Sequence, residues 1–232
     1  MTTKFVALIP ARAGSKGVPK KNLQQIGKST LVQLAAASAF GAGLSQVYLS
    51  TDSEEILRTT LDSFPETCQI KRSEYSASDR ATASDVVSDF LEKAPEIADD
   101  TFVVYLQPTS PFRTATHVAA AMSMVDAQDC TGVVSVIESS PNPIKAVQVV
   151  DGQIELFEFS SPTENRQHLP VAFFPNGAIY IFSVKAFRQI GDVPIQGTLP
   201  FIMDKVSSLD IDSVDDLDLA RIIWSNGARG LN

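Results

Sequence analysis

The stretch IPARAGSKGVPKKN, residues 9–22, sets two glycines, Gly14 and Gly17, among four cationic side chains, Arg12, Lys16, Lys20 and Lys21. Small residues such as Ala11, Gly14 and Ser15 let a backbone approach a polyphosphate closely and aim its N–H groups at the oxygens. The arginine and lysine side chains could then neutralise the charge that grows on a departing pyrophosphate. This is not a Walker A loop: upstream of Gly27-Lys28-Ser29, Asn22 stands where that motif needs its first glycine. A second pattern is Leu209-Asp210-Ile211-Asp212. Alternate residues of an extended segment point the same way, so both carboxylates face one side with Ile211 behind them. Two hard oxygen ligands beside phosphate groups suit Mg²⁺, or Mn²⁺, although acids here could instead cap the helix that follows.

Two further blocks carry polar chemistry. In LQPTSPFR, residues 106–113, Pro108 and Pro111 stiffen a segment whose Gln107, Thr109, Ser110 and Arg113 offer donors and acceptors, as a turn or as a binding loop. In RQHLP and PNGAIY, residues 166–170 and 175–180, Arg166 could clamp a carboxylate through two parallel hydrogen bonds. Asn176-Gly177 could be a simple turn before a strand. No HExxH, GxSxG or CxxC pattern points to a zinc hydrolase, a serine hydrolase or a redox enzyme.

The elements that must hold these blocks alternate along the chain. Residues 4–10 read as a buried strand, because Phe5 to Ile9 are apolar without alternation. A helix is expected over residues 30–40, with Ser29 or Thr30 as its N-cap and Gly41 and Gly43 as its stop. A strand over 46–51 precedes a helix to residue 64, with Asp52 and Glu55 as its capping pair. Further helices are expected over 83–93, 114–127 and 213–224, and strands over 101–106, 132–137 and 178–182. The alternation predicts an α/β fold with a largely parallel sheet, whose ligands sit at the carboxyl ends of the strands. Residues 138–172 break the pattern. They read as an excursion containing a hairpin, 145–150 and 153–159, around the Asp151-Gly152 turn, in an otherwise single domain spanning 1–232.

Net charge is −8, with 44% apolar and 20% charged residues, the profile of a globular chain with a sizeable core and not of a general nucleic-acid binder. The first 51 residues contain no Asp or Glu but carry Lys4, Arg12, Lys16, Lys20, Lys21 and Lys28. Such a segment in an acidic protein predicts a local site for a highly anionic ligand. No stretch reaches the roughly 20 apolar residues of a bilayer span, and no secretory leader is apparent. Cys68 and Cys130 read as free thiols, so a cytoplasmic location is expected, without membrane or nucleic-acid partners.

The four blocks, in this order and spacing from Ile9 to about Leu219, resemble the acylneuraminate cytidylyltransferases, in a short bacterial form. The resemblance implies a Rossmann-like nucleotidyltransferase core, three-layer α/β/α, and a homodimer whose projecting arm reaches the partner's site. It implies transfer of CMP from CTP to a nine-carbon acidic sugar, with Arg12, Lys16 and Lys21 on the phosphates and Asn22 near the ribose. Arg72 and Ser84 match positions around the cytosine. Gln107, Pro108, Thr109 and Ser110 match the sugar loop, joined by Lys145, Arg166 and Asn176. Asp210 and Asp212 match the metal pair, and Arg12, Lys21 and Asp212 the catalytic residues. One position departs: Phe174 precedes Pro-Asn-Gly where sialic-acid enzymes often carry Arg, which favours a deoxygenated relative such as legionaminic or pseudaminic acid. An enzyme for an eight-carbon 3-deoxy acid sugar, or a CTP-binding regulator without activity, are the alternative readings.

Overall fold

The computed structural model describes residues 3–127 and 130–227. Strand β1 (Lys4–Pro10) lies at the heart of a seven-stranded sheet. With β2 (Gln25–Ile26) and β3 (Ser29–Thr30) forming a small separate ribbon, the other strands of the main sheet are β4 (Val47–Thr51), β5 (Cys68–Lys71), β6 (Thr101–Tyr105), β7 (Gly132–Glu138), β10 (Phe173–Ser183) and β11 (Leu199–Ile202). Strands β8 (Val147–Val150) and β9 (Gln153–Leu156) pair only with each other. The main order is β11-β7-β10-β6-β1-β4-β5, parallel except that β10 runs antiparallel to both β6 and β7.

Both faces of the sheet are covered, which explains why β1 shows no alternation. Ala7 and Ile9 pack with α1 (Leu31–Gly41), α2 (Glu54–Leu61) and α4 (Ala115–Ala127). Val6 and Leu8 point the other way, into a cluster with α3 (Ala83–Lys93) and α5 (Val184–Ile190). Helix, sheet, helix is therefore the layering, and each fully buried Leu or Ile contributes roughly 1.5–3 kcal/mol to holding it. A third, smaller cluster of Val18, Ile26, Leu31, Phe112, Ile211 and Leu217 joins the basic loop to α6 (Val214–Ser225).

Most expected elements are present, with instructive differences. Thr30 caps α1 through a capping box with Gln33, and Ser213 caps α6 through one with Asp216. Helix α2 is capped by Ser53 and not by Asp52, whose carboxylate instead accepts from the Ala13 N–H at 2.7 Å; the helix ends at Leu61, short of residue 64. Strand β5, helix α5 and strand β11 were not expected. The hairpin strands are shorter than the sequence suggested, and they meet at Asp151 and Gly152 with φ of 49° and 78°, the left-handed pair a tight hairpin requires. Strand β10 begins at Phe173, so Asn176-Gly177 lies inside it, at a break in register between Pro175 and Tyr180. The excursion leaves the sheet at the end of β7 and returns in β10, and its hairpin exposes Val149, Ile154 and Leu156.

Candidate active site

At the carboxyl ends of β1, β5 and β6 a cleft of 460 Å³ opens. The basic loop supplies Arg12, Gly14, Ser15, Lys16, Gly17, Lys21 and Asn22, while Gln107, Pro108 and Thr109 follow β6. Arg72 enters from beyond β5, and Asp210 and Asp212 from the segment before α6. Elements distant in sequence thus bring the basic loop opposite the carboxylate pair, as the pattern required. Ala11 is fully buried beneath the loop: it is a packing residue whose N–H donates to the Ser50 carbonyl at 2.8 Å.

The loop and the acidic segment touch directly. Lys21 Nζ donates to the Ile211 carbonyl at 2.9 Å and to Asp212 Oδ1 at 3.1 Å. Gly17 packs so closely that a Cβ there would lie 1.9 Å from the Asp212 carbonyl oxygen. Ile211 is fully buried behind the two acids, as alternation demands, and its N–H donates to the Thr109 carbonyl at 2.9 Å. Burial, more than the neighbouring Asp212 charge, pushes the Asp210 carboxyl above the usual range, partly offset by a hydrogen bond from Thr109. Asp210 Oδ1 is buried with no hydrogen-bond partner among the described residues. An orphaned carboxylate oxygen in a cleft lined also by Asp212 and the basic loop fits a hard divalent cation such as Mg²⁺.

Other expected side chains also make bonds within the protein. Asn22 lines the cleft but spends its amide on the Arg12 carbonyl, 2.8 Å away, so it holds the loop in shape. Arg72 is buried, with Nε on the Ser50 carbonyl and hydroxyl at 3.1 and 3.0 Å and Nη1 on the Ser76 carbonyl at 3.2 Å; burial lowers its pKa. Ser84 does not line this cleft. It faces an adjoining cavity of 540 Å³, bonds the Asp192 carboxylate and accepts from the Val193 N–H at 3.1 Å. Gln107 borders both spaces, and Gly177, at φ 78°, passes so near that a Cβ would sit 2.8 Å from Gln107 Oε1.

Two expected sugar contacts are internal instead. Ser110 is buried, its hydroxyl without a partner among the described residues, and does not line the cleft. Asn176 is buried too: Oδ1 accepts from Ser135 and the Ala178 N–H, and Nδ2 donates to Ser208 at 2.8 Å. It therefore splices the irregularity of β10 onto β7. Lys145 and Arg166 sit on the excursion, outside the cleft; Lys145 Nζ donates to the Glu164 carbonyl at 2.9 Å. Phe174 pairs with Ile137 and borders a separate groove at the root of the excursion, beside Lys145.

Two functional groups were not legible in sequence. Asp79 ion-pairs with Arg12 at 2.6 Å and with Lys16 at 3.1 Å. Arg113, noted only as a polar group of its loop, is buried without an acidic partner among the described residues. It donates to the carbonyls of Gln107 at 2.7 Å and Ala178 at 2.9 Å and to Ser38 at 3.2 Å, and burial alone draws its pKa down to about 9. It clasps the Gln107 loop to β10.

Comparison with known proteins finds similarity along most of the chain. A family model described as "Cytidylyltransferase" matches residues 6–183, a span that stops before Asp210 and Asp212. An N-acylneuraminate cytidylyltransferase of Escherichia coli O18:K1:H7 is 33% identical over 95% of this chain and 52% of its own; the chain spans about half the length of that relative. A CMP-N,N'-diacetyllegionaminic acid synthase of Legionella pneumophila is 31% identical over 92% of this chain and 93% of its own. A solved CMP:2-keto-3-deoxy-manno-octonic acid synthetase, complexed with CTP, superposes with a TM-score of 0.70 at 17% identity, covering 96% of this chain and 99% of that one. That last likeness is one of fold.

Proposed function

Because the chain belongs to the cytidylyltransferase family, we propose that it transfers CMP from CTP to the anomeric hydroxyl of a nine-carbon 2-keto-3-deoxy acid sugar, releasing pyrophosphate. The observation that carries this reading is the meeting of Arg12, Lys16 and Lys21 with Asp210 and Asp212 in one cleft. The Legionella relative, matched over nearly its whole length, acts by its name on a sugar of this class.

In this reading Arg12 and Lys16 bind the outer phosphates and stabilise the leaving pyrophosphate. Lys21, partly buried and bonded to Asp212, would bridge the α-phosphate and the acidic pair. Phosphoryl-type transfer leaves a protein little covalent work, so positioning and charge neutralisation supply most of the acceleration. Gln107, held by Arg113, orients the sugar at the border of the two cavities. Asp210 and Asp212 would hold a divalent cation, which when bound polarises the α-phosphate and acidifies the sugar hydroxyl. Asp212 stands beside Lys21, placed to orient that hydroxyl.

Lys145, Arg166 and Phe174 lie outside this chain's own cleft. We assign them to a dimer in which the excursion, with its exposed apolar hairpin, reaches the partner's cleft. The described residues contain no helix long and apolar enough to cross a membrane. Both cysteines are free, in keeping with work in the cytoplasm where CTP is made.

The test is pyrophosphate release from CTP and Mg²⁺ with N-acetylneuraminic, legionaminic, pseudaminic and eight-carbon 3-deoxy acid sugars. Release is expected with the nine-carbon acids, highest with a deoxygenated one, since Phe174 brings no cation to the sugar. Highest efficiency with N-acetylneuraminate would overturn the Phe174 reading. CTP binding without release across the whole panel would make the protein a nucleotide-binding regulator.

A further inference from the structure

Asp79 lies between β5 and α3, in a segment whose Ser76, Ser78 and Thr82 also line the cleft. Its two oxygens are shared out: Oδ1 accepts from Arg12 Nη1 at 2.6 Å and Oδ2 lies 3.1 Å from Lys16 Nζ. These are the cations that the proposed reaction gives to the triphosphate, so the inference rests on that reading. The segment is held, not loose. Arg72 Nη1 donates to the Ser76 carbonyl at 3.2 Å, the Ser76 hydroxyl donates to Asp89 at 3.0 Å, and Arg12 reaches the Ala77 carbonyl at 3.5 Å. Asp79 is thus presented to the two cations from a fixed backbone.

We propose that Asp79 is an internal stand-in for a phosphate group, positioning Arg12 and Lys16 in the empty cleft and yielding them when triphosphate or pyrophosphate binds. Two carboxylate oxygens on two separate cations imitate two oxygens of one phosphate. A ligand phosphate reaching Arg12 meets an anion already there, and like charges at that range repel. Both pairs are partly or largely open to water, with Lys16 79% exposed, so each is weak and easily exchanged. Arg12 and then Lys16 hold the Asp79 carboxyl below the usual range, which keeps it ionised throughout the neutral range. The consequence is a cleft whose cations are arranged before the nucleotide arrives and whose grip on pyrophosphate is moderated when it leaves.

The test uses Asp79→Asn in the full chain, which keeps shape and removes charge, with direct binding of CTP, inorganic pyrophosphate and cytidine. Dissociation constants for CTP and pyrophosphate are expected to fall about fivefold, the scale of losing exposed ionic competition, while cytidine binding stays unchanged. In turnover, KM for CTP falls, pyrophosphate becomes a stronger product inhibitor and kcat does not rise; Asp79→Glu restores the parent values. Unchanged or weakened binding of CTP and pyrophosphate in Asp79→Asn would overturn the inference, as would an equal change for cytidine. Failure of the parent protein to bind CTP would strike the proposed function instead, and the pyrophosphate arm would still decide the role of Asp79.

Discussion

Asp210→Asn is expected to lower kcat by about three orders of magnitude while leaving the protein at least as heat-stable as the parent. The two halves of this result have one cause. The Asp210 side chain is half-buried, and its buried Oδ1 has no hydrogen-bond partner among the described residues. Burial raises its pKa, which is the mark of an ion held where the fold gains nothing from its charge. A neutral amide of the same shape sheds that desolvation cost, so the thermal midpoint should hold or rise. In the proposed reading the amide would be the poorer ligand for the divalent cation that Asp210 and Asp212 would share, because it lacks the charge. Steady-state turnover at saturating Mg²⁺, paired with a thermal melt, checks both halves. Turnover within tenfold of the parent would remove Asp210 from the reaction, and a large drop in the midpoint would make it a structural residue.

Gly17→Ala should cut kcat/KM for CTP by roughly 100-fold, the usual scale of a misplacement near 1 Å at a reacting centre. The glycine is required by space. A Cβ at position 17 would stand 1.9 Å from the Asp212 carbonyl oxygen, and its next contact, the carbonyl carbon, is backbone as well. No side chain can swing aside, so the basic loop must lift off the acidic segment. That movement draws Lys21 away from both Ile211 and Asp212. The main sheet is not involved, and far-ultraviolet circular dichroism should match the parent. The decisive measurement is kcat/KM against CTP concentration at fixed sugar. A loss smaller than threefold would show that the loop and the acidic segment act independently.

Much of the frame was readable because it rests on local signals. Thr30 with Gln33 and Ser213 with Asp216 mark helix starts through side chains a few residues apart. The unbroken apolar run of β1 signals a strand covered on both faces, and Val6 and Leu8 do face a different cluster from Ala7 and Ile9. The missed elements lack such signals or disguise them. Strand β5 is a short edge in which only Ile70 is buried. Strand β11 carries Pro200, tolerated because it too lies at an edge. Helix α5 has a proper start at Ser183 and a left-handed stop at Gly191, but with seven residues it is easily taken as the tail of β10.

The site was legible in residue types but not in partners. Alternation correctly set Asp210 and Asp212 on one side of Ile211. Asn176 and Ser110 have the same chemistry as ligand-binding residues, and only burial shows that Asn176 spends its amide on Ser135 and Ser208. Nothing near Asp79 in the chain announces that it meets Arg12, 67 residues away. Such pairings are products of topology, which spacing in a sequence does not encode.

The bond between Lys21 and Asp212 joins residues 191 positions apart, and this has a consequence for synthesis on the ribosome. At translation speeds of roughly 5–20 residues per second, about 10 to 40 s pass between the emergence of one partner and the other. During that interval the nascent chain can pair β1 with β4 and then β6, but its basic loop has no acidic segment to close against. Ile211 and Leu217, which anchor that loop from below, arrive in the same late stretch. In the proposed reading, the growing polypeptide therefore stays silent toward nucleotide until α6 docks.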